Sequence, residues 1–539
     1  MNRYRCHYLL SNSLKLLFGF LLFVFSSFSY SQTIAELHHE LTNVTLSKTK
    51  SVLEKIVQTD DETNLHLFET MLAGNLYFDT SDHSLLVLEK VDGVEQIKDF
   101  YSAEVRAIDR SDAKKIRVNN ALRTYLRASI ARIQLTAKDD TVRKEAVESL
   151  YKKVDKTTFA TVVELRSQET NKAVQSAMDL LIDMNDAQFN KNEQQRIAAI
   201  NRLAKSLEPA VRNMLVTIAN QTEVPKVAAA ATQALQTIEA KIGFYNKLDT
   251  VFFGLSLGSI LLLASIGLAI TFGVMGVINM AHGEMIMLGA YTTYVVQLLM
   301  PNHIDQSIIV AIPLAFTVSA LVGIVIERGV IQFLHGRPLE TLLATFGISL
   351  ILQQLVRSIF SPLNRQVNTP SWMSGSVEIN PVLFITLNRL YIFFFALIVF
   401  AALLVILRKT SLGLNVRAVS QNRNMARALG IKTARVDALT FGLGSGIAGI
   451  AGVALSQLTN VGPNLGQSYI IDSFMVVVFG GVGNLFGTLV AAFTLGIANK
   501  LFEPMVGAVL SSILVLVFII LFIQKRPKGL FPQKGRAAE

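Results

Sequence analysis

From Val251 to Ile523 the chain is written in long apolar runs, at 251–273, 285–300, 307–326, 341–360, 391–407, 437–457 and 506–523. Each approaches the ~20 residues that a helix needs to cross a bilayer. Backbone in hydrocarbon has to satisfy its own hydrogen bonds, so the runs predict helices. The fold class that follows is all-α, a polytopic membrane helix bundle. Residues 470–498 read two ways, because Gly480-Gly481-Val482-Gly483 splits them into halves too short to span comfortably. Two kinked crossings and a re-entrant hairpin buried in protein both fit.

The text ahead of residue 249 is different. Arg3, Arg5 and Lys15, the apolar stretch Leu16 to Phe25 and the small residues Ser27, Ser29 and Ser31 have the layout of a secretory signal peptide over 1–31. An uncleaved anchor is the alternative, although the apolar core is shorter than a spanning helix needs. Cys6, the one cysteine, excludes a disulfide framework and a cysteine metal site, and it precedes the apolar core, so it is no lipoprotein acylation site. Residues 32–248 read as an exported helical domain. Ile197, Ile200, Leu203, Leu207, Val211 and Leu215 recur at helical spacing, as do Val227, Ala231, Leu235, Ile238 and Ile242, each set predicting one amphipathic face. Asp140 to Leu150 is similar to the second helix of a HEAT-type repeat, and a repeat array and an irregular helical domain both remain open.

Charge orients the bundle. The chain carries a formal +10, with 18 Lys+Arg against 10 Asp+Glu after residue 248 and 32 against 30 before it. Fourteen of those 18 cations fall in 327–340, 408–435 and 525–536, beside apolar runs, which is a topology signal and excludes a nucleic-acid face. The positive-inside rule then predicts the orientation of a multi-pass membrane protein. Its 32–248 domain would be periplasmic, and its 408–435 segment and C-terminus cytoplasmic.

Two polar segments interrupt the apolar text. Asn279-Met-Ala-His282-Gly-Glu284 holds ionisable groups at membrane depth, where an acid costs ~2.5–3.5 kcal/mol, so it should face a cavity, a partner or the interface; a turn satisfied locally is the plain alternative. It lacks the second histidine of a zinc helix, and no metal site is predicted. Gln353 and Gln354 lie in the 341–360 run, their side chains ~100° apart, so at most one should line a path. Asn279, His282, Glu284, Gln353 and Gln354 are therefore the candidate path residues, with Asp472 and Glu503 nearer the membrane ends. The second segment, Gly413 to Gly430, carries Arg417, Arg423 and Arg427 and has to sit in water. No Gly-x-x-x-x-Gly-Lys-Ser/Thr string occurs, so no directly bound ATP or other cofactor is expected, and the chain reads as no enzyme.

These segments carry a resemblance. Ala426 to Ile431 resembles the cytoplasmic coupling loop of ABC-transporter permeases, and Gly258 to Leu268 with Gly276 to Glu284 resembles their branched-chain amino acid type. Arg337 to Gln354, Phe479 to Thr488 and Lys525 to Arg536 look like the urea-transporter permease within that type, over roughly 250–536. The resemblance implies a heterodimer with a second related permease, two cytoplasmic ATP-binding subunits that use the ATP, a periplasmic solute-binding protein and surrounding membrane lipid. It also implies that Gly413, Arg417, Arg423, Arg427, Ala428 and Gly430 belong to the ATPase-coupling loop. Asn422 and Asn424 stand where many such loops carry an acid. Urea needs acceptors and amides and no zwitterion clamp; a branched-chain amino acid or short amide is the alternative cargo, and a passive channel a further one.

Overall fold

The computed structural model describes residues 33–532 apart from 47, 60–62, 92–93, 107 and 153–155. The signal-peptide reading of 1–31, with Cys6, lies outside them. The described residues form two compact units that divide at Ile238/Glu239, inside a 51-residue helix, Pro225–Met275. The division read from composition, at 248/249, falls in the same helix.

In the first unit, α1 (Ile34–Asn43), α2 (Thr49–Val57), α3 (Thr63–Ala73) and α4 (Asn120–Leu135) bury Leu53, Ile56, Leu67, Phe68 and Leu126 in one core. That core also takes a sheet, which the helical reading of 32–248 did not contain. Strands β1 (Leu76–Asp79), β2 (Leu85–Val91), β3 (Val94–Asp99) and β4 (Ala113–Lys115) pair antiparallel in the order β3-β2-β1-β4. Leu76, Phe78, Leu85 and Val87 enter the core, so tertiary burial of branched and aromatic residues outweighs the helical bias of the surrounding text.

The remaining helices are α5 (Asp140–Ser149), α6 (Lys156–Arg166), α7 (Lys172–Phe189), α8 (Glu193–Leu203) and α9 (Pro209–Gln221). The stripe Ile197 to Leu215, read as one face, is two helices. α8 ends at Leu203, and Pro209, which has no N–H to donate and disfavours helix at Glu208 before it, starts α9 afresh from its first turn. Arg143 forks onto Glu169 at 2.8 and 3.0 Å, tying α5 to the α6–α7 connection, and this bond holds the Glu169 carboxyl down at about 2.

The second unit is a helix bundle. It comprises α10 (Pro225–Met275), α11 (His282–Leu299), α12 (Ile304–Gly329), α13 (Pro338–Phe360), α14 (Leu387–Lys409), α15 (Ser411–Gln421), α16 (Arg423–Ala428), α17 (Thr433–Ser456), α18 (Leu465–Gly480), α19 (Leu485–Val506) and α20 (Ala508–Lys525). A hairpin, β5 (Ser376–Asn380) and β6 (Leu383–Thr386), joins α13 to α14. Among the described residues seven helices are long and apolar enough to cross a membrane: α10, α12, α13, α14, α17, α19 and α20. The run at 285–300 is not one of them. It belongs to α11, whose polar start and two threonines lower its apolarity and which is buried along most of its length. The ambiguous 470–498 stretch breaks at Gly481 and Gly483, both at positive φ, into the short α18 and the longer α19.

At the centre, small residues let backbones touch. The most apolar stretch of α17 is 83% buried against 17% for α20, which makes α17 the hub and α20 a peripheral helix. Gly444, Gly449 and Gly452 of α17 meet Gly267 of α10, Ala315 of α12 and Ile286 of α11 so closely that a Cβ on any of the three would strike backbone. Helices associating in hydrocarbon lack a hydrophobic drive toward one another and rely on this contact.

Candidate functional site

The second unit holds two helices that begin inside the bundle. The connection from α10 to α11, Gly276 to Ala281, turns back at Gly276 (φ +67°) and delivers His282 against α10, where its Nε2 donates to Ala264 O at 2.9 Å. Ala264 lies eleven residues before the end of α10, so α11 starts about 16 Å back along that helix. α18 starts at the same place: a Cβ on Gly283 would lie 2.5 Å from Gly466 O. Neither helix start receives a side-chain cap, since Ala281 has none to offer and Asn464 Oδ1 is taken by Arg357 Nη2 at 2.7 Å. Two helix N-termini, each with N–H groups lacking an intrahelical acceptor and a partial positive charge, therefore meet beside one another.

Glu284 sits in the first turn of α11 and is buried, 1% exposed. Its Oε1 accepts from Ser349 Oγ and Gln353 Nε2, both at 2.8 Å, and its Oε2 is buried without a hydrogen-bond partner. The two donors belong to a longer series on α13. Thr341, Thr345, Ser349, Gln353 and Arg357 recur every fourth residue, and the first four are buried. Four-residue steps keep them on one winding face of the helix. Thr341 Oγ1 donates to Arg337 O at 2.9 Å, Thr345 Oγ1 accepts from Met280 N at 3.1 Å, and Arg357 closes the series at Asn464. A row of hydroxyl, amide and guanidinium groups thus runs along a predominantly apolar spanning helix, past both helix starts. Polar groups in that setting mark solute paths or interhelical bonds.

The five candidate path residues separate by role. Glu284 and Gln353 meet. Gln354 is exposed, its side chain ~100° around α13 from Gln353. Asn279 turns its Oδ1 onto Ala281 N at 3.0 Å and His282 holds α10, so both shape the backbone that places Glu284. The rest of the α13 series was not singled out in the sequence, nor was Arg357, which puts a cation beside a path expected to have none. Glu503 pairs with Lys500 at 2.6 Å, and Asp472 is half-buried in α18.

The segment between α14 and α17 is helical, and not the loop that the resemblance implies. Thr410 caps α15, and Gly413 leaves room for the Leu407 carbonyl beneath it. Asn422, standing where an acid was expected, caps α16 through Oδ1 to Met425 N at 2.9 Å, a job that an uncharged amide does as well. Gly430, at φ +87°, ends the segment. Arg423 is turned inward, both its Nη atoms reaching the carboxylate of Asp437, which is buried in α17. His335 Nε2 lies 3.7 Å from the same carboxylate, and Arg427 Nη2 reaches Thr433 Oγ1 at 3.5 Å. The outward surface is Leu414, Met425, Ala428 and Leu429, the last 76% exposed. Among the described residues no group of three or more His, Cys, Asp or Glu side chains could hold a metal.

Comparison with known proteins covers this unit. Residues 250–523 match the family described as "Branched-chain amino acid transport system / permease component". The high-affinity branched-chain amino acid transport system permease protein LivH of Salmonella typhimurium is 32% identical over 298 residues, covering 53% of this chain and 96% of that protein. BraD of Pseudomonas aeruginosa, described in the same words, is 28% identical over 295 residues with the same coverage. The ribose import permease protein RbsC of Bacillus subtilis is 33% identical over 108 residues, 19% of this chain and 34% of its own length. No solved structure matches.

Proposed function

The chain belongs to the family of branched-chain amino acid transport permease components, and on that footing we propose that it forms part of the membrane passage of an ATP-driven importer of urea. It is a permease subunit and not an enzyme. Membership implies ATP-binding subunits and a solute-binding protein in general; the proposal adds a second related permease and a pair of ATPases. One observation carries the site: the buried, unpartnered Oε2 of Glu284 at the meeting of two interior helix starts, beside the polar row of α13. Urea offers four N–H donors and one carbonyl. The free carboxylate oxygen can accept an N–H group, and helix N-termini favour the carbonyl oxygen.

A second cargo has specific support. The LivH and BraD relatives are named for branched-chain amino acids, and Arg357 with Glu284 supplies one charge of each sign for a zwitterion. Uptake of labelled urea and labelled leucine by the assembled transporter separates the two. The urea reading expects saturable, ATP-dependent urea uptake that excess leucine inhibits poorly. Strong leucine uptake with no urea uptake transfers the assignment to the amino acid.

The same reading orients the chain, with the first unit periplasmic and the α15–α16 segment and C-terminus cytoplasmic, in an inner membrane. Its support is the cation asymmetry. In a Cys6→Ser background, cysteines introduced at Lys144 and at Asn424, both at exposed positions, are expected to react with an impermeant maleimide from opposite faces of sealed membranes. Reaction from one face refutes the orientation.

The exposed apolar surface of α16 supports its assignment as the place where an ATPase docks. Arg423 is withdrawn from that role by its bond to Asp437 and becomes the tie between the docking helix and the hub helix α17. Gly413 and Arg417 seat α15 against Leu407 at the end of α14, while Arg427, Ala428 and Gly430 remain on the docking surface.

A further inference from the structure

Where α14 ends, a cavity of about 330 Å³ opens between α10, α14, α15 and the turn that precedes α19. Ile270 and Val274 of α10, Leu404 of α14 and Phe486 form apolar walls, and Arg408 and Arg417 stand at the polar end. No Asp or Glu lines it. Arg408 has no hydrogen bond or ion pair to any described residue. Arg417 is anchored through Nη1 to Leu407 O, which fixes its guanidinium beside the cavity and leaves other donors unused. Two unneutralised guanidiniums at one opening repel one another, an arrangement that an anion between them relieves.

We propose that this cavity binds the headgroup of an anionic phospholipid, with its phosphate between Arg408 and Arg417. The source is argued from the walls. A soluble anion gains nothing from Ile270, Val274, Leu404 and Phe486, whereas a glycerol backbone and the first acyl carbons would cover them. Ile398 and Val405 of α14 are 65% and 59% exposed, so acyl chains leaving the cavity find apolar surface to follow. Basic pockets between spanning helices at a membrane face are suited to acidic headgroups. The proposal rests on reading α14 as a membrane helix and is independent of the cargo, so failure of urea uptake leaves it standing.

The test is made on the full chain with its partner subunits, delipidated in detergent and titrated with phosphatidylglycerol or phosphatidylcholine under native mass spectrometry. The expected result is one phosphatidylglycerol bound in preference to phosphatidylcholine. An arginine near a membrane face contributes ~1 kcal/mol, so Arg408→Gln should weaken binding about 5-fold and Arg408→Gln with Arg417→Gln about 30-fold. Arg408→Lys should retain most of the affinity, and Lys525→Gln, at another basic helix end that does not line the cavity, all of it. Arg408 has no partner to lose, so its variants should keep the native melting profile, which is measured alongside. Equal losses in Lys525→Gln and Arg408→Gln, or none in either, overturn the site. Displacement of the lipid by millimolar inorganic phosphate overturns the lipid assignment in favour of a free anion.

Discussion

Replacing Glu284 with Ala is expected to cut the initial rate of solute uptake by one to two orders of magnitude. The variant removes the acceptor shared by Ser349 and Gln353, leaving the buried Ser349 hydroxyl without that acceptor and Gln353 Nε2 with only its 3.4 Å contact to Ser349 Oγ. A buried group left unpaired costs ~1–3 kcal/mol, equivalent to roughly 5- to 150-fold in rate where the loss falls on the transition state of translocation. Glu284→Gln keeps a carbonyl acceptor and the side-chain volume, so it tests whether the carboxyl itself is required. The glutamine pair supplies an internal control. Gln353→Leu should slow uptake within that same range, because its partner is Glu284. Gln354→Leu should change it by less than about two-fold, since exposed substitutions away from a site usually stay within ±0.5 kcal/mol. Uptake rates normalised to the protein found in membrane fractions make the measurement. Equal losses at both glutamines, or no loss at Glu284, would remove this cluster from the path.

What the sequence disclosed about this site, and what it hid, follows from the range of the interactions. The spanning helices α12, α13, α14, α17 and α20 are legible because some twenty predominantly apolar residues leave the backbone one way to satisfy itself. The polar row on α13 was equally local. Thr341, Thr345, Ser349, Gln353 and Arg357 stand four apart in the text, and a search for polar periodicity on an apolar helix would have found them. Reading that segment for its average hydropathy hid them. The pairing of Glu284 with Gln353, 69 residues away, was not local, and neither was the meeting of Gly283 with Gly466. Those depend on helices starting inside the bundle. The one hint of this was glycine placement, since Gly276, Gly481 and Gly483 all adopt positive φ and each marks a change of direction. Arg423 shows the opposite failure: a cation in a basic segment looked available to a partner, and its acid lay 14 residues on at the start of the next helix.

That acid leads to the second large effect. Ala428 is exposed at the end of α16, so Ala428→Glu should leave the fold and membrane insertion intact. If Met425, Ala428 and Leu429 form the docking surface, the new charge is buried unpaired against the ATPase. A buried lone charge costs several kcal/mol, enough to abolish uptake and substrate-stimulated ATP hydrolysis together. Arg423→Ala should fail differently. It leaves Asp437 buried in α17 without its guanidinium, at ~3–5 kcal/mol, so the isolated permease should melt earlier and lose coupling as a consequence of lost structure. Adding Asp437→Asn to an Arg423→Gln variant removes both charges at once and should recover much of the thermal stability. Coupling returns with it only if the tie needs packing and not charge. Melting temperature, ATPase rate and uptake measured on the three variants separate a docking surface from a structural tie. Unimpaired transport in Ala428→Glu would mean that the ATPase engages some other part of the chain.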